Sequence, residues 1–288
     1  MKNHEKRSLK QDVTWTRIIP MKSGYIDTNS QQIYYEMHGE GEPLILIMGI
    51  GGDSTMWAPY QVPAFSTSFQ VIVLDNRDAG RSSKATSSYT IADMADDVAG
   101  LMDGLGVEHA HILGISMGGM IAQEFALQHP DRLNKLILTG TGAATGRAWF
   151  DPIMAWNFVK QHDSEGLAFG AQQFIWLFST DFLRNHRVVD QTLALFASNP
   201  NPFSPEAYAH QAEAYLKHDA LDRLGDVKAP TLVISGEQDR LAPPWIAREL
   251  ADAIPGAKFH LVEGSGASHA LILERPDDFN KIVMDFLV

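Results

Sequence analysis

The chain has 288 residues and no cysteine, and its 35 acidic residues outnumber its 23 basic residues, giving a formal net charge of -12. The absence of cysteine excludes a disulfide framework, a thiol nucleophile and cysteine-ligated metal or iron–sulfur centres. The acidic balance argues against nucleic acid and anionic membranes as main partners, since both require clustered Lys and Arg. A hydrophobic content of 45% indicates a folded globular chain.

The N-terminal region carries no recognisable targeting signal. Residues 1–10 are polar and charged, and residues 11–20 contain no apolar run of signal-peptide length. The apolar run at 43–48 is too short to cross a bilayer and predicts a buried strand. We therefore expect a cytoplasmic protein whose residues 1–20 form a flexible segment.

From residue 32 onward, short apolar runs alternate with amphipathic segments. The first run alternates in polarity and predicts an edge strand, whereas later runs are near-continuously apolar, as in strands covered on both faces. The alternation predicts an α/β fold with a mostly parallel central sheet flanked by helices. Strands are predicted at 32–38, 44–48, 71–74, 111–115, 136–138, 231–235 and 259–262, and helices at 91–105, 117–128, 246–253 and 276–286.

The alternation stops between about residues 143 and 221, a stretch that is rich in aromatic residues and has no strand-like run. We interpret 143–221 as a helical cap inserted into a core formed by 21–142 and 222–288. Most of its aromatic side chains are expected to form the small core of the cap, and a few would line an apolar substrate pocket. The pocket candidates are Trp57, Trp149, Trp156 and Trp176.

Ser116 is the candidate nucleophile. It lies in Gly114-Ile-Ser-Met-Gly118, between a predicted strand and a predicted helix. The Gly-x-Ser-x-Gly pattern is weak alone, but in this setting it predicts a strained turn that lifts the serine hydroxyl clear of the sheet. The glycines allow neighbouring backbone to approach, and the helix N-terminus favours developing negative charge. The alternative is a plain strand-to-helix turn with a capping serine.

A serine nucleophile needs a base, and the base needs an orienting acid. Asp239 follows the strand at 231–235, on the same sheet edge as Ser116; Glu237 is an alternative acid that lies closer to the strand. His269 lies in a glycine-rich loop before the last predicted helix. Of the 11 histidines, it alone occupies the position where this architecture needs a base. We predict that Ser116, Asp239 and His269 form a catalytic triad.

The oxyanion formed by attack on a carbonyl needs backbone N–H donors. One is expected from Met117, directly after the nucleophile, and the other from the glycine-rich loop at 49–53. That loop lacks the Gly-Lys-Ser/Thr ending and the Gly-x-Gly-x-x-Gly spacing of nucleotide-binding loops. We expect neither a metal nor an organic cofactor.

Together these motifs resemble those of the α/β-hydrolase superfamily, from about residue 25 to the C-terminus. The loop at 48–50 takes the place of the usual oxyanion His-Gly-x, and residues 75–82 resemble Asp-x-Arg-Gly-x-Gly-x-Ser. Met48 replaces the usual histidine and Asp78 a usual glycine, so the conformation of both loops is open. The resemblance implies that Ile50 is the second oxyanion donor, with Gly51 as the alternative.

The chain looks most similar to capped hydrolases such as 3-oxoadipate enol-lactonases, aclacinomycin methylesterases, proline iminopeptidases and cofactor-free haloperoxidases. This resemblance implies a carboxylesterase that cleaves small to medium, partly apolar esters through an acyl-enzyme. Serine at the turn argues against epoxide hydrolases and haloalkane dehalogenases, which carry aspartate there. Lactonase, aminopeptidase, carbon–carbon hydrolase and perhydrolase activities stay open, as does a non-enzymatic ligand receptor. Oligomeric state is not predicted.

Overall fold

The computed structural model describes residues 22–145, 152–163 and 167–288. In these residues, one eight-stranded sheet has the order β1-β2-β4-β3-β5-β6-β7-β8. The first three strands in this order pair antiparallel, and the pairs from β4 onward are parallel. The strands are β1 (Lys22–Thr28), β2 (Gln31–His38), β3 (Glu42–Ile47), β4 (Phe69–Leu74), β5 (Ala110–Ile115), β6 (Leu133–Thr139), β7 (Thr231–Gly236) and β8 (Lys258–Val262).

Helices cover the sheet and fill the segment between β6 and β7. They are α1 (Gln61–Phe65), α2 (Ile91–Leu105), α3 (Met117–Gln128), α4 (Pro152–His162), α5 (Leu167–Leu177), α6 (Thr180–Leu183), α7 (His186–Ala197), α8 (Pro205–Lys217), α9 (Pro244–Ala253), α10 (Leu271–Glu274) and α11 (Pro276–Leu287). Short 3-10 helices lie at Ser54–Trp57, Pro130–Arg132 and Leu221–Asp226. Across the described residues, no helix combines the length and apolar character needed to cross a membrane.

The predicted α/β class is confirmed, and every strand and helix predicted from the sequence overlaps an observed one. Helix α2 matches its predicted bounds because its sequence fixes both ends. Thr90 accepts a hydrogen bond from the Asp93 N–H at 3.1 Å, and the Asp93 carboxylate accepts one from the Thr90 N–H at 2.7 Å. At the other end, Gly106 adopts the left-handed conformation that terminates helices, with φ at 69°.

The prediction of an edge strand at 32–38 is wrong. β1 lies outside β2 and pairs with it antiparallel, so β2 is the second strand of the sheet. β1 escaped the sequence analysis because its side chains are mostly exposed or half-buried, which leaves no apolar run to detect.

Alternating side chains of the central strands divide the core into two layers. Ile45 and Ile47 of β3 belong to the apolar layer that contains buried residues of α2 and α3. Leu44 and Leu46 belong to the opposite layer, with buried residues of α1 and α11. A parallel sheet covered on both faces leaves its carboxyl edge as the place where loops converge.

The segment between β6 and β7 leaves and rejoins the core at one point. Ala144 and Asp219 form an isolated antiparallel bridge, and the Ala220 N–H donates to the Ala143 carbonyl at 2.8 Å. These contacts fall beside the expected cap limits of 143 and 221, and helices α4 to α8 lie between them. The division into cap and core stays a prediction, and the expected flexible segment 1–20 lies outside the described residues.

His218 is buried where this segment returns to the core. Its Nδ1 lies 3.4 Å from a carboxylate oxygen of Glu124, which also forms an ion pair with Arg223 at 2.5 Å. Burial penalises the charged imidazole and lowers the pKa of His218 to about 4, although the Glu124 carboxylate opposes this shift. The folded protein therefore holds His218 neutral at a pH where the unfolded chain is protonated.

This pKa predicts a loss of stability in acid. Between about pH 6.5 and about pH 4, the unfolded state binds a proton at His218 that the folded state does not. The free energy of unfolding therefore decreases as the pH is lowered, and His218 contributes up to about 3 kcal/mol to this decrease. In urea titrations across this pH range, the free energy of unfolding of His218→Asn should decrease less than that of the wild type. Replacement of the exposed His109 by Asn should leave the decrease unchanged. An unchanged pH slope in His218→Asn would contradict the assignment.

Candidate active site

Ser116 occupies the turn between β5 and α3 with φ at 55° and ψ at -123°. This is a left-handed conformation that costs an L-residue on the order of 1–3 kcal/mol unless its surroundings hold it. Its N–H donates to the Thr139 carbonyl of β6 at 2.9 Å, and its carbonyl accepts from the Gly119 N–H at 2.9 Å. The strained residue is thus held by hydrogen bonds on both sides.

The glycines around Ser116 are required by close backbone approach. A Cβ atom at Gly114 would lie 2.2 Å from the Gly118 carbonyl oxygen, and one at Gly118 would lie 2.2 Å from the Ile47 carbonyl oxygen. These separations are far inside van der Waals contact, and the atoms met are backbone. The Gly-x-Ser-x-Gly pattern therefore reflects how tightly β3, β5 and α3 meet at the turn.

Asp239 and His269 are in direct contact. Nδ1 of His269 lies 2.9 Å from Oδ2 of Asp239. The other carboxylate oxygen, Oδ1, accepts hydrogen bonds from the N–H groups of Leu241 at 2.9 Å and Ala242 at 2.8 Å. A carboxylate only accepts hydrogen bonds, so this contact favours the imidazole tautomer with its proton on Nδ1 and a lone pair on Nε2.

Two further glycines bring neighbouring loops against these side chains. A Cβ at Gly49, after β3, would lie 2.9 Å from Cβ and 3.4 Å from Oγ of Ser116. A Cβ at Gly140, after β6, would lie 3.1 Å from Cε1 of His269 and 3.6 Å from Oδ2 of Asp239. Because Thr139, which accepts from the Ser116 N–H, directly precedes Gly140, Ser116 lies at the same carboxyl edge of the sheet as the Asp239–His269 pair.

The N–H groups of the loop after β3 differ in whether they have a hydrogen-bond acceptor. The Gly51 N–H donates to Oε1 of Gln211 in α8 at 3.1 Å, and the Gly52 N–H donates to the Gly49 carbonyl at 3.2 Å. In the part of the chain that the structure describes, no acceptor is paired with the N–H groups of Ile50 and Met117. Of the two alternatives considered for the second oxyanion donor, Gly51 is engaged and Ile50 is free.

Local hydrogen bonds stabilise the chain at Met48 and Asp78, the two positions that depart from the family pattern. Met48 is buried, and its carbonyl accepts a hydrogen bond from the Asn76 amide at 2.9 Å, which pins the start of the loop. Asp78 has φ at 69°, a conformation that glycine favours. Its carboxylate accepts from the Ala85 N–H and the Tyr89 hydroxyl, each at 2.8 Å, which stabilises that turn.

A partly buried carboxylate supports the loop that carries His269, and no local sequence pattern predicted it. Glu274 accepts hydrogen bonds from the N–H and hydroxyl of Ser179, at 2.8 Å and 2.6 Å, and from the Ser268 hydroxyl at 2.5 Å. Burial raises the pKa of Glu274 above its ordinary value. Ser179 lies 95 positions from Glu274, so no local pattern could reveal this link.

The four tryptophans predicted to line the pocket differ in where they lie. Trp156 is buried in an apolar cluster with Leu241, and Ile50 and Trp176 pack against that cluster, so both tryptophans lie at the junction between loop and helices. Trp57 is 0% exposed within the core layer of α1 and α11. Trp57 therefore packs in the core layer, and its assignment to a pocket stays a prediction. Trp149 lies outside the described residues.

The described residues contain no group of three or more His, Asp or Glu side chains placed to hold a metal ion. Ser116, Asp239 and His269 are themselves 8%, 4% and 6% exposed. Low exposure strengthens the electrostatic interactions among them. What the arrangement offers is a hydroxyl, an oriented base and free N–H donors in one place.

Comparisons with known proteins identify the family of the fold. A model of the family described as alpha/beta hydrolase fold matches residues 42–276. A Caulobacter protein (strain K31) named "Putative carbamate hydrolase RutD" is 32% identical, covering 93% of this chain and 98% of its own. The enol-lactonase from Burkholderia xenovorans LB400 superposes with a TM-score of 0.82 at 33% identity, covering 92% and 99% of the two chains. A thermophilic esterase from Thermogutta terrifontis superposes with a TM-score of 0.79 at 29% identity, covering 92% and 98%.

The turn geometry predicts an asymmetry between two glycine-to-alanine substitutions. Gly118→Ala forces Cβ against the Ile47 carbonyl and should lower the free energy of unfolding by about 1–3 kcal/mol. It should also lower activity, because Ile47 leads into the loop at 49–53. Gly225→Ala meets no atom within 4 Å and should be nearly neutral. Urea unfolding of both variants checks this, and equal stability of the two would contradict the packing described.

Proposed function

Since the chain belongs to the alpha/beta hydrolase fold family, we propose that it is a carboxylesterase with a Ser116–His269–Asp239 triad. The chain is a hydrolase; the ester substrate and the serine mechanism are the proposal. The observation that carries it is the 2.9 Å contact between His269 Nδ1 and Asp239 Oδ2, beside a serine held at φ 55°. That contact leaves Nε2 of His269 as the base for the serine hydroxyl.

The first half-reaction acylates the serine. His269 Nε2 accepts the Ser116 hydroxyl proton as Oγ attacks the ester carbonyl carbon, and the carbonyl oxygen becomes an oxyanion. The N–H groups of Met117 and Ile50 donate to that oxyanion, and the N-terminus of α3 adds a favourable dipole. The tetrahedral intermediate collapses, the alcohol leaves with the proton from His269, and an acyl-enzyme remains.

The second half-reaction releases the acid. A water molecule gives a proton to His269 Nε2 and attacks the acyl carbon, and the same N–H groups hold the second oxyanion. Collapse returns the proton to Ser116 and frees the carboxylic acid. Through both steps Asp239 stabilises the imidazolium and fixes the tautomer, while its own orientation is set by the Leu241 and Ala242 N–H groups.

The residues above the loop at 49–53 favour an apolar substrate group. The cluster at this junction contains Trp156 and Tyr208, with Phe169 and Trp176 packed against it. The partly exposed rings of Phe169 and Trp176 can bind alkyl or aryl groups by excluding water from them. We therefore assign a small to medium, partly apolar ester as the substrate class.

Lactone hydrolysis is the second candidate. A lactone is a cyclic ester, so the same attack by Ser116 opens the ring without any additional group. The 33% identity to an enol-lactonase favours this candidate. The relative named as a carbamate hydrolase adds carbamates to the compounds to be tested. A panel of p-nitrophenyl esters of rising acyl length, lactones and carbamates, compared by kcat/KM, separates the three.

Ser116→Ala should lower kcat/KM on the best substrate of that panel by about 10³-fold or more, because no nucleophile remains. The exposed Ser198, whose hydroxyl donates to the Leu195 carbonyl, provides the matched control, and Ser198→Ala should keep parental activity. Circular dichroism establishes that both variants fold. A folded Ser116→Ala protein that turns over ester at the parental rate would refute the mechanism.

A further inference from the structure

A fully buried glutamine joins the helical segment to the loop of the proposed oxyanion hole. Gln211 of α8 is 0% exposed. Its Oε1 accepts the Gly51 N–H at 3.1 Å, and its Nε2 donates to the Arg77 carbonyl at 2.9 Å. The first partner can only donate and the second can only accept, so the orientation of the amide group is fixed.

Arg77, whose carbonyl accepts the hydrogen bond from Gln211, is held in place by a buried ion pair. The Arg77 guanidinium donates to both carboxylate oxygens of Asp97, at 2.6 Å and 2.8 Å, and both side chains are buried. A paired guanidinium of this kind holds its backbone in place. Gln211 therefore ties the Gly51 N–H to a fixed point on the neighbouring loop after β4.

Helix α8 packs against the turn at Gly51. Gly51 has φ at 72°, and a Cβ there would lie 3.5 Å from the Tyr208 ring of the same helix α8. Helix α8 thus covers the loop with Tyr208 and binds it with Gln211. The Gly51 N–H is directed to Gln211, whereas the N–H of Ile50 has no acceptor among the described residues.

A second side chain joins the same segment to the far end of the loop. The Asn199 amide donates to Oδ2 of Asp53 at 3.0 Å. Oδ1 of Asp53 accepts the Thr55 N–H at 3.0 Å, which caps the 3-10 helix that follows. The loop at 49–53 is therefore held from α8 and from the α7–α8 connection.

We propose that Gln211 is a positioning residue of the active site, which takes up the Gly51 N–H and aligns the Ile50 N–H as the second oxyanion donor. The inference rests on the proposed function, because it assumes that an oxyanion forms beside Ser116. It assigns to the helical segment a part in the chemistry as well as in substrate contact. Gln211 acts through the loop and touches no reacting atom.

The test uses the rate at which an alkyl fluorophosphonate labels Ser116, which requires no knowledge of the natural substrate. In this reaction the Oγ–P bond forms, the P–F bond breaks, fluoride leaves and the serine proton passes to His269. The phosphoryl oxygen occupies the oxyanion position, so the labelling rate depends on donor alignment. The proteins compared are the wild type, Ser116→Ala, Gln211→Met and Gln161→Ala.

Gln211→Met keeps the side-chain length but removes both hydrogen bonds. We expect labelling to slow by about 10- to 100-fold, less than the loss of a whole oxyanion donor, because the Ile50 N–H is misaligned but present. Gln161, an exposed glutamine that donates to the Pro205 carbonyl at 2.8 Å, is the matched control, and its alanine variant should label at the parental rate. On an ester, Gln211→Met should lower kcat and leave KM nearly unchanged.

The outcomes separate the inference from the proposed function. An unlabelled wild type, or labelling of Ser116→Ala at the wild-type rate, overturns the proposed function and the inference with it. Labelled wild type together with Gln211→Met at the same rate overturns the inference alone. A rise in KM with unchanged kcat also overturns it, since that result would place Gln211 in substrate binding.

A measurement on the wild type guards against a Gln211→Met protein that does not fold. On phosphonylation of Ser116, the amide proton resonances of Ile50 and Met117 should shift downfield as they bind the phosphoryl oxygen. The Gly51 resonance should move little, because its partner is Gln211 before and after the reaction. A large downfield shift at Gly51 with none at Ile50 would overturn the proposal.

Discussion

The backbone of Ser116 holds a conformation that an L-residue adopts only under constraint, with φ at 55°. The turn lifts the hydroxyl out of the sheet, and it exists only because β3, β5, β6 and α3 approach one another without Cβ atoms in between. Gly49, Gly114 and Gly118 supply that space, and the Thr139 carbonyl supplies the hydrogen bond. Because Gly49 and Gly118 bring the loop after β3 against the turn, the packing that strains Ser116 also places the candidate N–H donors, while Gly140 allows His269 to approach from the loop after β6.

The segment between β6 and β7 contacts these loops through polar groups that are buried or partly buried. Gln211 and Asn199 bind the loop after β3, and Ser179 binds Glu274, which in turn accepts from Ser268 beside His269. Buried polar groups are costly unless paired, so such contacts fix one arrangement more strictly than apolar packing does. In the proposed mechanism, this segment supports the loops of the candidate triad and contacts an apolar substrate group.

Local patterns predicted most of the fold and singled out the candidate site residues. Continuous apolar runs identify the buried strands, and the capping box at Thr90 fixes α2. β1 was missed because its exposed side chains form no such run. Ser116, Asp239 and His269 follow from chain order at strand ends, whereas Gln211 and Glu274 act through contacts with residues far away in the chain. Trp57 lies in the core layer of α1 and α11, and its sequence position near the loop does not distinguish packing from a pocket role.

The most direct test of the account is detection of the acyl-enzyme itself. The protein is mixed with a p-nitrophenyl ester whose acyl group is released slowly, quenched in acid within the first turnover, digested and analysed by mass spectrometry. The account predicts a burst of p-nitrophenol equal to one per chain and the acyl mass on the peptide that contains Ser116. Turnover of the ester with no burst and no acyl group on Ser116 would contradict it, because water would then attack the ester without a covalent intermediate.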